Sequence, residues 1–226
     1  MAGNYVLQYL MLPADVFERV LFSSEIITVM LAAPLSYYIG TKLLDVNDLT
    51  VQLEHAVNHD NLTGTCTRLS FYHRLAQMED VQLVTIVTDI DHFKQVNDKY
   101  GHQAGDSVLK QFANTLLRNC REEDVVARFG GEEFIVLLQD VSLEDGVLAA
   151  QRLCDRVREK KFMANGQRLH ITASFGVAEV ETVSEVDDAI HKADLAAFRA
   201  KRNGRDKVYS YDPELDSDAP HSQAAE

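Results

Sequence analysis

From residue 59 to residue 212, runs typical of β-strands alternate with segments of helical periodicity. Val81 to Asp89 is rich in β-branched residues, which predicts a buried strand. Asp106 to Asn119 repeats its apolar residues with the period of an amphipathic helix. Two short strands joined across Gly130-Gly131 predict a hairpin. The alternation favours a mixed α/β (α+β) domain in which helices flank a central mixed sheet.

The predicted elements follow from the same patterns. The helices are Arg68 to Glu79, His92 to Tyr100, Asp106 to Asn119, Leu143 to Lys160 and Val186 to Arg202. The strands are Val81 to Asp89, Asp124 to Phe129, Phe134 to Leu138, Leu169 to Val180 and Lys207 to Tyr211. The polar, acidic tail over residues 213–226 is predicted to be disordered.

Composition limits the classes of partner. The 226 residues are 46% hydrophobic and 25% charged, which is the balance of a folded globular protein. The formal net charge is −13 without a concentrated basic patch, so no nucleic acid polymer is expected as a partner. A single nucleotide is compatible, because one local Lys/Arg cluster can hold it. Cys66, Cys120 and Cys154 lack metal-ligand spacing and are interpreted as reduced thiols of a cytoplasmic domain.

The residues before position 59 differ from the rest of the chain. Val20 to Thr41 is apolar apart from Glu25 and a few hydroxyls, and its length is near the ~20 residues of a membrane-spanning helix. Glu25 and Pro34 weaken that interpretation. Two interpretations of residues 1–41 therefore stay open: an anchor that tethers a cytoplasmic catalytic domain to the inner membrane, or a soluble apolar helix that packs in a dimer.

Residues 42–58 carry a short helical seam. Val46, Leu49, Leu53 and Ala56 follow 3-4-3 spacing, with polar residues off the seam. The pattern predicts a parallel coiled-coil stalk that ends where the catalytic domain begins, at residue 59. A helix that lies on its own domain is the alternative.

Paired carboxylates mark the chemistry. Glu132 and Glu133 follow Gly130-Gly131, and Asp89 and Asp91 close the predicted buried strand. Carboxylates at close range repel each other, and a bound divalent cation would offset that repulsion. Open α/β sheets hold ligands at strand ends. Asp89 with Glu132 or Glu133 is therefore a candidate site for Mg²⁺, which prefers oxygen ligands.

The segment Arg128 to Phe134 resembles the signature of the GGDEF family of diguanylate cyclases, in its GGEEF form. Five further blocks occur in the family's order, and the resemblance covers about two thirds of the chain: His59 to Gly64, Asp89 to Asp98, Gly101-His102 with Gly105-Asp106, Ala193-Asp194, and Ala200-Lys201 with Gly204-Arg205. It implies a fold similar to nucleotidyl cyclases and polymerase palm domains. The implied reaction condenses two GTP molecules into cyclic di-GMP and two pyrophosphates within a homodimer.

The resemblance also implies catalytic roles. Asp89, the backbone carbonyl of Ile90, and Glu132 resemble the ligands of two Mg²⁺ ions per active site, for which Mn²⁺ is a possible substitute. Glu133 is implied as a metal ligand or as the base, and the two roles stay open. Asp89, Glu132 and Glu133 are thus the candidate catalytic residues.

Further positions resemble the substrate site. Asn97 and Asp106 resemble the family's guanine-binding residues. The N1 and N2 groups of guanine are hydrogen-bond donors, so an ionised Asp is a suitable acceptor. The phosphate-binding positions would be Lys94, Lys201 and Arg205, with the Gly130-Gly131 backbone beside them. Simpler alternatives exist: Asp106 could cap a helix, Asn97 could lie in a turn, and Lys201 and Arg205 could form a solvated helix end.

Arg121 to Asp124 resembles the family's RxxD inhibitory site for cyclic di-GMP, with Arg152 as a second arm. An exposed charged turn is the alternative. For the whole domain, the alternative function is a catalytically silent module that binds GTP or cyclic di-GMP. Such a module is expected to lose Asp89, Glu132 or Asp106, and all three are retained. A purely structural membrane-anchored dimer would leave the motifs unexplained.

Overall fold

The computed structural model describes residues 13, 15, 16, 19, 30–45, 58–78 and 82–216. The chain divides into two compact units, Met1–Glu54 and His55–Glu226. The elements of the second unit are, in chain order, β1 (Cys66–Thr67), α1 (Arg68–Leu75), β2 (Leu83–Ile90), α2 (Phe93–Tyr100), α3 (His102–Leu117), β3 (Val125–Arg128), β4 (Glu133–Gln139), α4 (Leu143–Glu159), β5 (Phe162–Ala164), β6 (Gln167–Leu169), β7 (Ala173–Val180), a 3-10 turn (Val183–Glu185), α5 (Val186–Arg202), β8 (Val208–Ser210) and α6 (Pro213–Asp216).

Six of the strands form one mixed sheet in the order β1-β3-β4-β2-β7-β8. The central strand β2 pairs antiparallel with both β4 and β7, while the outer pairs β1–β3 and β7–β8 are parallel. Strands β5 and β6 form a separate hairpin. This architecture confirms the predicted mixed sheet flanked by helices.

Strand β2 is apolar without alternation because helices cover both faces of the sheet. All eight of its residues are buried. On one face, Ile86 and Ile90 join a core that includes Phe112 of α3 and Leu153 of α4. On the other face, Val87 packs in a second core with residues of α1 and α5. The strand thereby carries its last residues to a fixed position at one end of the sheet.

Helix α5 lies unusually close to β7. A Cβ atom placed on Gly176 would lie 1.9 Å from the carbonyl oxygen of Ala193 and 2.3 Å from the amide nitrogen of Ala197, so only glycine fits between strand and helix. Buried alanines line this face of α5. The close packing fixes where the C-terminal turn of α5 ends, next to the end of β2.

Several boundaries differ from the sequence-based prediction. Helix α3 begins at His102, because Gly101 adopts the left-handed φ of 83° that separates it from α2. Residues 169–180 do not form one strand: β6 ends at Leu169 and β7 begins at Ala173. The β5–β6 hairpin turns at Asn165-Gly166, which is a strong hairpin signal that the periodicity analysis passed over.

The predicted disordered tail is wrong for its first four residues. Pro213–Asp216 forms helix α6, and Asp216 is buried. Its carboxylate lies 3.4 Å from Nε of Arg199 on α5 and accepts a hydrogen bond from the amide of Asp212. A partner on α5 therefore orders a segment whose composition alone is that of a tail. Residues 217–226 lie outside the described part of the chain.

The first unit is described mainly by one helical stretch, residues 30–45. Leu31, Leu35, Tyr38 and other apolar side chains along it are exposed. Within the described residues, no helix has the length and apolarity needed to cross a membrane, so the predicted membrane anchor is not supported. Residues 20–29 of that prediction, and the seam residues Val46, Leu49, Leu53 and Ala56, lie outside the described residues.

The central strand contains a buried hydroxyl group that lacks a hydrogen-bond partner among the described residues. The Thr85 hydroxyl is fully buried on β2 and has no hydrogen-bond partner among the described residues. Thr85→Val keeps the side-chain shape and removes an unsatisfied polar group, so we expect the free energy of unfolding to rise by about 1 kcal/mol. Urea denaturation of the two proteins measures the change.

Thr63→Val is the matched control. The Thr63 hydroxyl donates to Asp60 Oδ1 at 2.6 Å, so the same substitution there should lower the free energy of unfolding by about 1 kcal/mol or more. Equal effects of the two substitutions would contradict the assignment of Thr85 as an unsatisfied group.

Candidate active site

Acidic side chains meet where β2 ends. The antiparallel register places Asp89 of β2 directly opposite Glu133, the first residue of β4. Glu132 precedes Glu133 in the hairpin loop and is half-buried. Only 8% of Asp89 is exposed. Like charges facing each other across neighbouring strands destabilise a sheet, so this arrangement is not explained by folding alone.

The pKa values of two of these acids, Asp89 and Glu132, are raised. Burial raises the pKa of Asp89, and the nearby carboxylates of Glu133 and Asp91 raise it further, while Lys201 opposes them. Burial also raises the pKa of Glu132, with added repulsion from Asp89 and Glu133. Perturbed carboxylates in one place are typical of functional sites.

Lys201 supplies one compensating charge. It lies in the last turn of α5, and its Nζ is 2.9 Å from Asp89 Oδ2. The alternative that Lys201 is merely a solvated helix end is therefore wrong. One ammonium faces an acid group that includes Asp89, Glu132 and Glu133, so negative charge remains in excess.

The acids suit a hard divalent cation. Carboxylate oxygens are the ligands that Mg²⁺ prefers, and a bound cation would oppose both the burial and the repulsion that raise the pKa values of Asp89 and Glu132. Among the described residues, no three His, Cys, Asp or Glu side chains converge closely enough to enclose a metal ion. The donor type nevertheless fits the predicted metal, and Asp89, Glu132 and the Ile90 carbonyl stay the predicted ligands.

The hairpin turn does not require a left-handed backbone at either glycine. Neither Gly130 nor Gly131 has a positive φ. A Cβ atom on Gly130 would lie 2.7 Å from Glu133 Oε2, whereas one on Gly131 would meet no atom within 4 Å. The predicted tight turn is thus present, and the carboxylate end of the exposed Glu133 side chain lies against Gly130.

Arg128 holds the hairpin loop from inside. Its Nε donates to the carbonyl oxygens of Gly130 and Gly131, both at 3.2 Å, and its Nη2 donates to Gly131 at 2.6 Å. Its Nη1 bonds Asp60 Oδ1 at 3.1 Å. Although burial acts to raise the pKa of Asp60, hydrogen bonds from Thr63 and Arg128 hold that pKa below its usual value. The sequence alone indicates no separate role for Arg128.

The predicted guanine-binding residues lie side by side. Asn97 belongs to α2 and Asp106 to α3, and the two helices pack on each other. A Cβ atom on Gly105 would lie 1.9 Å from Asn97 Oδ1, so the absence of a side chain at Gly105 admits the amide. Asp106 is the fifth residue of α3 and Gly101 is the cap residue, which makes the helix-cap interpretation of Asp106 wrong. Asn97 lies within a helix, so the turn interpretation is wrong too.

The sequence marked Asp91 as an acid at the end of the strand but indicated no structural role for it. Its carboxylate accepts hydrogen bonds from the hydroxyls of Thr172 and Ser174, each at 2.7 Å, and from the Asp206 amide at 3.0 Å. It thereby ties the end of β2 to β7 and to the loop that carries Arg205. The signal was its position two residues after Asp89, but its partners are distant in the sequence.

The remaining predicted phosphate-binding residues surround this end of β2. Lys94 is exposed on the first turn of α2, which begins three residues after β2 ends. Arg205 is half-buried in the loop after α5, with a left-handed φ of 59°.

Comparison with known proteins identifies the family. The family described as "Diguanylate cyclase, GGDEF domain" matches residues 57–207. The chain belongs to the GGDEF family of diguanylate cyclases. Diguanylate cyclase DgcP of Pseudomonas aeruginosa is 42% identical over 155 residues, which are 66% of this chain and 23% of that protein. Diguanylate cyclase DgcM of Escherichia coli is 39% identical over 193 residues, which are 78% of this chain and 46% of that protein.

A solved structure shares the fold of this GGDEF domain. It is the crystal structure of the coiled coil and GGDEF domain of DgcB from Caulobacter crescentus in complex with c-di-GMP, with a TM-score of 0.72 and 25% identity. The similarity covers 80% of this chain and 98% of that one, and it confirms the predicted cyclase fold. The chain spans between about a quarter and a half of the length of the two curated relatives.

The GGDEF domain has a second polar cavity, of about 470 Å³, at the predicted inhibitory site. Asp124 is buried and accepts hydrogen bonds from the amides of Arg121 at 2.7 Å and Gln139 at 3.4 Å. The Arg121 side chain is exposed, and Arg152 of α4 donates to the carbonyl oxygen of Asn119. The lining residues are Arg121, Asp124, Leu138, Asp140, Val141, Asp145, Leu148, Ala149 and Arg152. The three predicted residues therefore line one cavity, while Arg121, Glu122 and Glu123 are also exposed, as the exposed-turn interpretation expects.

The coupled acids predict an inverse relation between stability and metal affinity. The raised pKa of Glu132 means that its charged form destabilises the fold, so Glu132→Gln should raise the free energy of unfolding at neutral pH. Glu132 is half-buried, so the gain should be below about 1 kcal/mol. It should vanish well below about pH 4.3, the usual glutamate pKa, because the side chain is then protonated in both the folded and the unfolded protein. Urea denaturation without metal measures both values.

Mg²⁺ should reverse the order of the two proteins at neutral pH. An ion that binds only the folded state raises its stability, and Glu132→Gln removes a ligand. The exposed Glu122, in the loop before β3, provides the control: Glu122→Gln should respond to Mg²⁺ as the wild type does. Equal stabilisation of wild type and Glu132→Gln by Mg²⁺ would remove Glu132 from the metal site.

Proposed function

We propose that this chain condenses two GTP molecules into cyclic di-GMP and releases two pyrophosphates. The observation that carries the proposal is the set of mutually repelling acids at the end of β2, Asp89, Glu132 and Glu133, with Lys201 paired to Asp89. Membership of the family and the 42% identity to a named diguanylate cyclase support it. Because the substrate is GTP, we place the domain in the cytoplasm.

The acids would hold the metal that the reaction needs. Asp89, the Ile90 carbonyl and Glu132 would bind Mg²⁺, which when bound neutralises triphosphate charge and makes a hydroxyl near it more acidic. Two ions per site and replacement by Mn²⁺ remain part of the proposal. Glu133 lies opposite Asp89 and against Gly130, so it can act as a further ligand or as the base that takes the 3′-hydroxyl proton.

Binding of GTP would divide between the two helices and the loops. Asp106 and Asn97 offer acceptors to the guanine N1 and N2 donors, which adenine does not match. Lys94, Lys201 and Arg205 would bind phosphate oxygens. Lys201 is paired with Asp89 in the absence of ligand, which keeps its charge at the edge of the acid group where a triphosphate would enter.

Ring closure requires two substrate molecules and supports a homodimer. Each 3′-oxygen attacks the α-phosphorus of the other GTP, so two phosphodiester bonds form and two bonds to pyrophosphate break. The described part of the chain carries one set of guanine-binding residues, Asn97 and Asp106. Two copies facing each other would supply both nucleotides in the required geometry.

We also propose product inhibition at the cavity lined by Arg121, Asp124 and Arg152. An arginine can bind guanine O6 and N7 bidentately, and it can bind phosphate. Arg121 is exposed and therefore accessible, while Asp124 fixes the turn that presents it. The relative from Caulobacter crescentus was solved in complex with c-di-GMP, which supports the ligand class.

The direct test is incubation of the purified chain with GTP and Mg²⁺, with the product identified by mass. We expect cyclic di-GMP, and an initial rate per mole of protein that rises with protein concentration because the dimer is the active form. Asp106→Ala should weaken GTP binding by a factor of ten or more relative to ATP, since it removes the acceptor for guanine.

Ser107→Ala is the control for Asp106→Ala, because its hydroxyl binds the Met163 carbonyl oxygen rather than any predicted substrate position. Nucleotide binding without product would favour the silent binding module over the enzyme. Unchanged preference for GTP in Asp106→Ala would remove Asp106 from the guanine site.

Feedback is tested by adding cyclic di-GMP to the reaction. Arg121→Ala deletes a bidentate contact, so the inhibitory concentration, normalised to the rate of each protein, should rise between about 5- and 150-fold. Arg118→Ala, three residues earlier and exposed, should leave it unchanged. Identical inhibition of wild type and Arg121→Ala would mean that the cavity is not the inhibitory site.

A further inference from the structure

The loop that carries Arg205 has an unusual backbone. Gly204, Arg205 and Asp206 all have positive φ values, of 102°, 59° and 51°. Left-handed backbone is uncommon for residues with a side chain, and two such residues in succession need support from their surroundings. The contacts that provide this support determine where Arg205 is held.

The main chain of the loop is bonded on three sides. The Arg205 amide donates to the Ala200 carbonyl oxygen at 3.0 Å, and the Asp206 amide donates to Asp91 Oδ2 at 3.0 Å. The Lys207 carbonyl oxygen accepts from the Phe175 amide at 2.9 Å. These bonds fix the two ends of the loop to α5, β2 and β7.

Helix α4 supplies the support for Asp206, the last of the three left-handed residues. Arg158 Nε donates to Asp206 Oδ2 at 2.7 Å, and Arg158 Nη2 donates to the Asp206 carbonyl oxygen at 3.2 Å. Arg158 Nη1 is in turn bonded to Asp155 Oδ1 at 2.5 Å, one turn earlier on the same helix. One guanidinium therefore binds both the carboxylate and the main chain of Asp206, in a geometry that a lysine cannot reproduce.

The Asp206 carboxylate depends on this arginine. Its other described contact is Cys154 Sγ at 3.7 Å, a weak donor. Burial, together with the Asp206 carboxylate, raises the pKa of the Cys154 thiol to about 12, so the thiol stays protonated and brings no charge. Without Arg158, a partly buried carboxylate would lack a cation next to Asp91, another acid.

We infer that Arg158 is a positioning residue for the active site: by binding Asp206 from α4, it holds the left-handed loop that presents Arg205. The inference rests on the proposed function, in which Arg205 binds phosphate. Arg158 itself touches no predicted substrate position. Its effect should therefore appear in nucleotide affinity and should depend on the residue at position 206.

The test uses the full chain and the α,β-methylene analogue of GTP, which cannot lose pyrophosphate, with Mg²⁺ present in calorimetric titrations. Arg158→Gln should weaken binding on the order of 10-fold, because the strained loop loses its support. Asparagine tolerates the left-handed region and needs no cation. The double variant Arg158→Gln/Asp206→Asn should therefore recover to within about three-fold of the wild type. A merely structural arginine would show no such recovery.

Arg156→Gln is the matched control. Arg156 lies on the same helix, is exposed, and pairs only with Glu159, at 3.7 Å, among the described ion pairs. Its substitution should leave the affinity unchanged. If Arg158→Gln does not fold, as judged by its thermal unfolding transition, Arg158→Lys keeps the charge, loses the two-pronged contact and provides the same comparison.

Two results would overturn the inference: wild-type affinity in Arg158→Gln, or a double variant as weak as Arg158→Gln alone. Failure of the proposed reaction is a separate outcome. If the wild type binds the analogue but makes no cyclic di-GMP from GTP, the cyclase proposal fails, and the affinity comparison still decides the role of Arg158.

Discussion

The repulsion between Asp89 and Glu133 is the constraint around which the rest of the site is arranged. The sheet register places these carboxylates opposite each other, and Glu132 adds a third. Such a group is tolerated only because β2 is buried on both faces by two cores. The stability of the sheet thus supports an end that is locally unfavourable, which is the compromise expected at a functional site.

Two acids in one short segment show how the chain separates support from function. Asp91 is buried and accepts three hydrogen bonds, from Thr172, Ser174 and the Asp206 amide, so its binding capacity is used for structure. Asp89, two residues earlier, pairs with Lys201 among the described residues and has carboxylate lone pairs left for a ligand. Asp91 holds the strand end and the loop that carries Arg205 in place, so Asp89 has a fixed position.

Local sequence patterns predicted the fold and the acidic residues of the site. They did not reveal contacts between residues that are far apart in the sequence. The β-branched run of β2, the glycine hairpin and the order of the motifs are local signals, and they led to the fold and the acids. Arg128 and Asp60 are 68 residues apart, and Asp91 and Ser174 are 83 apart, so no periodicity links them. Asp216 lies in a segment with the composition of a tail, yet Arg199 makes it part of the fold. Helix α3 begins at His102, earlier than the predicted start at Asp106, because the positive φ of Gly101 sets the boundary. Asp106 therefore lies inside the helix.

The cavity lined by Arg121, Asp124 and Arg152 also combines a residue that supports the structure with one that is available to a ligand. Asp124 is buried, and its two oxygens accept the amides of Arg121 and Gln139, so it shapes the turn before β3. Arg121 pairs only loosely with Glu123, at 3.9 Å with both side chains exposed, and such a pair contributes little. Its guanidinium is therefore available to a ligand at small energetic cost. Selectivity in this cavity should then depend on the arginines, while loss of Asp124 should act by releasing the turn that holds Arg121 in place.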